Sequence, residues 1–302
     1  MIGTFKNGNF RTTIFEDGTK IRFSNEDIFI PSRPENIDIK ITNYCDAGCP
    51  YCHEDSTING IHGDIMNSSL FDTIKPYTEL AIGGGNPLSH PDLIPFLEKL
   101  KEKKVIANIT VNQKHFMQNV SFLKDLTKKK LIWGLGISLI KPDIDFIQTI
   151  KMFPNAVIHI IYKIVPWSYL EALAGQGLKI LILGYKTIRR GKRYQFELKT
   201  ANEKDLYNNL SHLEYMFDVV SFDNLAIKQL EVERLFKSRE DFERYYMGND
   251  GDFSFYIDMV KEEYALNSTS MIRYVFDNKK DNIINLWRGI NEENKMLGGG
   301  EK

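Results

Sequence analysis

The sequence predicts an α/β fold built around a mostly parallel sheet. Between residues 36 and 217, six short apolar segments alternate with segments whose apolar residues recur every three to four positions. The first pattern is typical of buried strands and the second of amphipathic helices. Strands joined by helices pair in parallel. An open doubly wound sheet and an incomplete (βα) barrel both fit this order, and in both architectures ligands bind at the carboxyl ends of the strands.

Residues 1–35 predict a separate segment of β-hairpins. Asn7-Gly8 and Asp17-Gly18 are dipeptides that favour tight hairpin turns, and short apolar runs flank them. We interpret this segment as a β-ribbon that packs against the rest of the protein.

Residues 36–217 contain the alternating strands and helices. The predicted strands are Ile37–Thr42, Glu79–Gly83, Val105–Val111, Ile132–Ser138, Ala156–Ile164 and Lys179–Leu183. The predicted helices are Ser68–Tyr77, Pro91–Lys103, Phe116–Lys130, Asp143–Phe153, Ser168–Ala174 and Asn202–Phe217. In the second helix Leu93, Phe96 and Leu100 fall on one face, as expected for a helix that covers a sheet.

Residues 218–302 predict a mixed α+β extension. Ser238 resembles the first residue of a capped helix, the runs Phe253–Val260 and around Tyr264 predict strands, and Ile283–Lys295 predicts a last helix. We expect this extension to cap the carboxyl ends of the strands and to help define a substrate pocket.

The charge balance and the apolar pattern exclude several classes of protein. Lys and Arg total 39 and Asp and Glu total 40, so the net charge is −1 and there is no strong signal of nucleic-acid binding. The first residues lack the apolar stretch of a secretory signal, and no apolar run approaches the roughly 20 residues of a membrane-spanning helix. We therefore expect a cytoplasmic protein with no membrane partner.

The three cysteines of the chain lie in one short loop that follows the first predicted strand. They are Cys45, Cys49 and Cys52, in a C-x3-C-x2-C spacing. An odd, clustered set of cysteines indicates a metal site rather than a disulfide framework. Three thiolates could bind three irons of a [4Fe–4S] cluster and leave the fourth iron free for another ligand. A zinc site completed by His53 is an alternative, although structural zinc ligands usually come from two separate turns.

This loop resembles the motif of the radical S-adenosylmethionine (SAM) superfamily, including the aromatic Tyr51 before the last cysteine. The resemblance covers residues 36–200 and implies an incomplete (βα)6 barrel similar to a TIM barrel. It implies that the three cysteines hold a [4Fe–4S] cluster whose open iron binds SAM. It also implies an oxidoreductase-like chemistry in which an electron donor such as flavodoxin or ferredoxin reduces the cluster. SAM is then cleaved to a 5′-deoxyadenosyl radical that abstracts hydrogen from a substrate.

The same resemblance indicates further cofactor-binding residues at the carboxyl ends of the strands. Gly84, Gly85 and Asn86 lie where the family has its GGEP motif, with Asn86 in place of the usual Glu, and that turn binds the methionine group of SAM. Tyr51 and the residues that end or follow later strands are predicted to contact SAM as well; these are Asn112, Ser138 and Lys186. The basic run from Arg189 to Arg193 is interpreted either as an anion-binding loop over the barrel mouth or as a solvated basic loop, with Lys186 preferred as the anion ligand. No catalytic side chain is assigned.

The sequence leaves the substrate open between a peptide or protein and a nucleotide-like small molecule held by Lys186 and Arg190. The absence of further cysteines leaves no ligands for a second iron–sulfur cluster. The alternative function is a non-catalytic iron–sulfur or zinc protein on a βα scaffold. A second glycine-rich turn at the next strand end favours the enzyme, because a purely structural metal loop would not require it.

Overall fold

A computed structural model describes residues 1–297 of the chain, and the side chains as far as residue 292. The last five residues of the predicted extension, 298–302, lie outside the described residues. The α/β class with a mostly parallel sheet is confirmed. None of the described helices is long and apolar enough to cross a lipid bilayer.

The N-terminal segment forms the predicted hairpins. Strands β1 (Gly3–Asn7), β2 (Phe10–Ile14) and β3 (Lys20–Phe23) pair antiparallel in a small sheet of their own. Its anchor is the buried Glu35, whose Oε2 accepts from Nε and Nη2 of Arg22 at 3.0 and 2.9 Å. A charge-assisted pair with both oxygens buried holds this ribbon against the start of the large sheet.

Ten strands form the large sheet. They are β4 (Asn36–Thr42), β5 (Glu79–Gly84), β6 (Ile106–Asn112), β7 (Gly134–Ser138), β8 (Ala156–Ile161), β9 (Lys179–Leu183), β10 (Val219–Phe222), β11 (Ser254–Asp258), β12 (Glu263–Ala265) and β13 (Tyr274–Val275). Strands β4 to β10 are parallel and lie in chain order, so the sheet has no point at which the strand order reverses. This is the order of an incomplete barrel rather than of a doubly wound sheet.

The parallel part of the sheet is larger than the six strands that the sequence predicts. Strand β10 continues it beyond residue 217, and β11 pairs in parallel with β4 on the other side. Strands β12 and β13 then extend that side with antiparallel pairs. Part of the predicted α+β extension therefore belongs to the same sheet as the cysteine-bearing strand, while the boundary at residue 218 stays a prediction.

Helices follow most of the parallel strands. They are α1 (Leu93–Glu102), α2 (Gln113–Gln118), α3 (Val120–Lys128), α4 (Ile144–Ile150), α5 (Trp167–Leu173), α6 (Arg189–Tyr194), α7 (Thr200–Asn208), α8 (Leu213–Met216), α9 (Asn224–Leu230), α10 (Arg239–Tyr245) and α11 (Ile283–Leu297). The predicted helix over 116–130 is divided at Asn119, whose side chain donates to the carbonyl oxygen of His115 at 2.8 Å. Asparagine side chains compete with helical backbone bonds in this way.

The helix predicted over Ser68–Tyr77 is wrong. Only Ser69–Asp72 forms a helical turn, of the 3₁₀ type. Pro76 disfavours helical backbone at the residue before it, and the β-branched pair Thr73 and Ile74 weakens the helix further. The sequence pattern shows the apolar residues of this segment but not their extended course over the core.

The two faces of the parallel sheet have different roles. Alternate residues such as Ile37, Ile82 and Ile137 are fully buried in the core that the helices cover. The intervening residues, such as Asp38, line one cavity of about 830 Å³ that strands β4 to β11 share. A volume of this size lies in the upper part of the range of about 300–1,000 Å³ that ligand pockets occupy.

Candidate active site

The cysteine loop lies at the carboxyl end of β4 and on the rim of the cavity. Cys45, Cys49 and Cys52 all line the cavity, and each is a half-buried free thiol. The beginning and the end of the loop are joined by a hydrogen bond, in which the backbone N–H of Cys45 donates to the carbonyl oxygen of Thr57 at 2.8 Å. The structure therefore brings the three predicted metal ligands together at the predicted edge of the sheet.

The thiols lie in a poorly solvated place. Burial and, to a smaller extent, the neighbouring Cys52 and Cys45 raise the pKa of the Cys49 thiol to about 11. Nδ2 of Asn112, at the end of β6, lies 3.7 Å from Sγ of Cys49 and donates to it. The Oδ1 of Asn112 accepts from the backbone N–H of Lys114 at 2.9 Å, so the amide is fixed in this orientation. Asn112 is thus placed to contact the cysteine loop as well as the cavity.

The basic run from Arg189 to Arg193 forms a short helix, α6, whose first two arginines hydrogen-bond to the cysteine loop. In α6, Nη1 of Arg190 donates to the carbonyl oxygen of Cys49 at 2.9 Å, and Nη2 donates to that of Ser56. Its Nε donates to Asp55 at 2.9 Å, so the whole guanidinium is engaged. The neighbouring Arg189 donates to the carbonyl oxygen of His53 at 2.7 Å. Arg189 and Arg190 are therefore occupied in holding the loop backbone, and anion binding by the rest of the run stays a prediction.

A buried ion network supports the loop from below. Nζ of Lys40 lies 3.0 Å from Oε2 of Glu54 and 3.1 Å from Oδ2 of Asp258, and all three side chains are at most 5% exposed. The hydroxyl of Tyr256 also donates to Glu54 at 3.2 Å. Because each charge has a partner, the network can remain buried. Because Glu54 follows Cys52 and His53 directly, the network ties the end of the cysteine loop to Lys40 on β4 and to Asp258 on β11.

The glycine turn after β5 packs against the cysteine loop. Gly84 has a φ of +113°, and a Cβ there would lie 2.5 Å from the carbonyl oxygen of Thr42 and 2.8 Å from Cγ of Lys40. A Cβ at Gly85 would overlap the carbonyl oxygen of Tyr44. Both glycines are therefore needed for close backbone approach to the segment that carries Cys45.

All three glycines of this turn line the cavity, and Gly83, which the site prediction does not include, is the one at which a side chain would have free space. A Cβ built on Gly83 meets no atom within 4 Å, and its φ is not in the left-handed region. It follows Glu79 and Ala81 on the cavity face of β5. The two-residue alternation of a strand could have identified it from the sequence.

Asn86 occupies the position of the family's glutamate but has a local structural role. Its Oδ1 accepts from the backbone N–H of Leu88 at 3.2 Å and caps the 3₁₀ turn Pro87–Ser89. Its own backbone N–H donates to the carbonyl oxygen of Tyr44 at 2.7 Å. Asn86 is buried and is not among the residues that line the cavity.

The other predicted cofactor contacts surround the cavity mouth. Ser138 is the last residue of β7, and the ring of Tyr51 lies 5.7 Å from that of Tyr194. Ser138 and Tyr51 both line the cavity.

Lys186, after β9, donates from Nζ to Nε2 of His53 at 3.2 Å and to the hydroxyl of Ser268 at 2.8 Å. Burial and the Lys186 ammonium lower the pKa of His53 to about 3, so its ring is a neutral acceptor.

Among the described residues, no three His, Cys, Asp or Glu side chains converge closely enough to bind one metal ion. The cysteine loop instead presents three separate free thiols on the rim of one cavity. Cysteine thiolates are the ligands that hold iron–sulfur clusters, and each can bind a different iron.

Comparison with solved structures finds proteins of similar fold. No protein-family model and no curated protein matches the sequence. The structure is similar to that of Streptococcus suis SuiB bound to the precursor peptide SuiA, with a TM-score of 0.58 and 14% identity over 85% of this chain. SuiB bound to S-adenosylmethionine and a third SuiB structure give TM-scores of 0.56 and 0.54, also at 14% identity and 85% coverage.

This chain spans just under two thirds of SuiB, covering 65% of the peptide-bound chain and 66% of the other two. At 14% identity the similarity shows the fold alone. The fold is shared with a protein whose structures hold S-adenosylmethionine and a precursor peptide. A shared fold does not determine the chemistry of a protein, which depends on the residues of its site.

Proposed function

We propose that this protein is a radical SAM enzyme that binds one [4Fe–4S] cluster through Cys45, Cys49 and Cys52. The observation that carries the proposal is that the C-x3-C-x2-C loop and the glycine turn lie side by side at the carboxyl ends of β4 and β5, on the rim of one large cavity. In a parallel α/β fold this edge is where ligands bind. When bound and reduced, the cluster would supply the electron that cleaves SAM to a 5′-deoxyadenosyl radical.

The chain's own residues would position the cluster and SAM. Arg190 and the Lys40 network hold the cysteine loop in place, and Asn112 donates toward Cys49. Gly83 leaves open space beside that loop for the methionine group of SAM. Lys186 is the candidate partner of the SAM carboxylate. Among the described residues, the other lysines and arginines that line the cavity are each paired with a carboxylate, whereas Lys186 has none within ion-pair distance. Ser138 and Tyr51 are proposed to complete the SAM site.

A peptide is the proposed substrate. One of the SuiB structures of similar fold holds a precursor peptide, and the cavity of about 830 Å³ is large for a ligand pocket. A nucleotide-like substrate is less favoured, since Arg190 is committed to the cysteine loop and Lys186 alone would have to balance its phosphates. The electron donor is proposed to be a flavodoxin or ferredoxin.

Anaerobic reconstitution with equal amounts of iron, sulfide and zinc tests the cluster assignment. We expect the chain to take up close to four irons and four sulfides, the composition of a [4Fe–4S] cluster, and to lose them on exposure to air because one iron has no protein ligand. Metal and acid-labile sulfide analysis before and after aeration measures this. Stoichiometric zinc without sulfide would instead establish the non-catalytic zinc alternative.

A further inference from the structure

One carboxylate in the cavity has no role in the proposed chemistry. Asp38 lies on the inner face of β4, four residues before Thr42 ends the strand, and its side chain reaches the open space of the cavity. At a rise of about 3.3 Å per residue, it lies about 13 Å below the end of the strand. It is therefore deeper in the cavity than the cysteine loop.

The cavity is open between Asp38 and the cysteine loop. Ala81 is the partner of Asp38 on β5, and Gly83 is the partner of Lys40 one row closer to the loop. These two small residues leave space on the β5 side, where a Cβ at Gly83 would meet nothing within 4 Å. Lys40, the next residue on the same face of β4, is held by Glu54 and Asp258. A ligand group that lies beneath the proposed SAM position could reach Asp38.

Asp38 differs from the other acidic residues that line the interior of the cavity. Glu35, Glu54 and Glu79 each have a lysine or arginine within ion-pair distance. Asp223 accepts from the backbone N–H groups of Gly184 and Ala226 at 2.9 and 2.7 Å. Within the part of the chain that the structure describes, Asp38 has no cation at such a distance, and its polar contact is with the neutral Asn36.

The surroundings of Asp38 are short of positive charge. The surface of Asp38 is exposed to the open cavity, but the surrounding walls still limit its solvation. This desolvation, opposed by Lys186 and reinforced by the carboxylates of Asp250 and Asp223, raises the pKa of Asp38 to about 6. His159, which lines the same cavity, contributes no charge at neutral pH, because burial and Lys186 lower its pKa to about 4. If the SAM carboxylate pairs with Lys186, the carboxylate of Asp38 is left without a counter-charge.

We propose that Asp38 anchors a cationic group of the substrate, an ammonium or a guanidinium, in the part of the cavity below the SAM site. A charge held in a desolvated cavity is stabilised when a partner of opposite sign enters. The inference deepens the proposed function and rests on it for the location of SAM. For a peptide substrate, the group would be a lysine or arginine side chain.

Two matched probes test this proposal without knowledge of the substrate. N-acetyl-arginine amide and its neutral isostere N-acetyl-citrulline amide are titrated into the reconstituted, SAM-bound protein, and their binding is followed by ligand-observed NMR. We expect the arginine probe to bind about tenfold more tightly than the citrulline probe, because only the charged guanidinium can form an ion pair with Asp38, and a pair inside a cavity is screened less than one in bulk water. Equal binding of the two probes by the unaltered protein would overturn the proposal.

Variants of the chain assign the preference to Asp38. We expect Asp38→Asn to remove it, Asp38→Glu to retain part of it, and the exposed control Asp145→Asn, in the first turn of α4, to retain all of it. A preference that survives in Asp38→Asn would overturn the proposal. Iron content and 5′-deoxyadenosine formation are measured on the same samples. If the unaltered protein holds its iron and forms 5′-deoxyadenosine but shows no preference for the charged probe, the Asp38 inference alone is rejected. If the unaltered protein neither holds iron nor forms 5′-deoxyadenosine, the proposed function is rejected.

Discussion

Replacing Cys49 with alanine is expected to reduce both iron content and SAM cleavage of the reconstituted protein by more than about 100-fold. Mutation of residues that merely orient metal ligands already costs about 10- to 100-fold in affinity or activity, and here a ligand itself is lost. The chain has three cysteines, all in this loop, so no other thiol can take the place of Cys49. We expect the same result for Cys45→Ala and Cys52→Ala.

Thr57→Ala is the matched control for these variants. Thr57 is an exposed residue of the same loop, and its hydroxyl accepts a long hydrogen bond of 3.3 Å from the backbone N–H of Asn59. Its replacement should leave iron content unchanged. A Cys49→Ala protein with the full complement of iron and undiminished formation of 5′-deoxyadenosine would contradict the assignment of the three metal ligands.

Replacing Gly83 with valine is expected to weaken SAM binding by at least about tenfold, while the melting temperature and iron content stay near those of the unaltered protein. The Cβ of the new side chain would project into the cavity with no other atom within 4 Å, and valine is favoured in strands. A loss of this size corresponds to about 1.4 kcal/mol of binding free energy. Calorimetric titration of SAM into the reconstituted variant measures it.

Gly84→Val should behave differently from Gly83→Val, although the two residues are adjacent. Its side chain would collide with the backbone of Thr42 and with Lys40, and its φ of +113° is strained for valine. We expect this variant to lose stability and iron together, so it cannot isolate SAM binding. Unchanged SAM affinity in Gly83→Val would show that the cofactor does not occupy the space beside the glycine turn.

Local sequence patterns predict the elements that have strong periodicity. Strand β9 has the predicted bounds, and β4 and β5 differ from their predicted bounds by one residue. Their apolar residues alternate or run continuously, which is a local property that the sequence records. Strand β10 was missed because it is a short, half-exposed edge strand of four residues, which carries little apolar signal.

Features that depend on distant parts of the chain could not be predicted in this way. Strand β11 pairs with β4 although more than 200 residues separate them, and no local pattern records such a pairing. The run around Arg190 looks like a solvated or anion-binding segment until the fold places it on the cysteine loop. Lys40 and Asp38 are charged residues within an apolar strand, and their occurrence there is explained by the fold, which places both on the strand face that lines the cavity.

The formation of 5′-deoxyadenosine from SAM under reducing conditions tests the central claim most directly. The reconstituted protein is incubated anaerobically with SAM and dithionite, and the products are quantified by liquid chromatography and mass spectrometry. We predict 5′-deoxyadenosine in amounts that depend on dithionite, on the protein and on all three cysteines. Cluster-loaded protein that binds SAM but yields no 5′-deoxyadenosine above the dithionite-only control would contradict the proposal that this chain is a radical SAM enzyme.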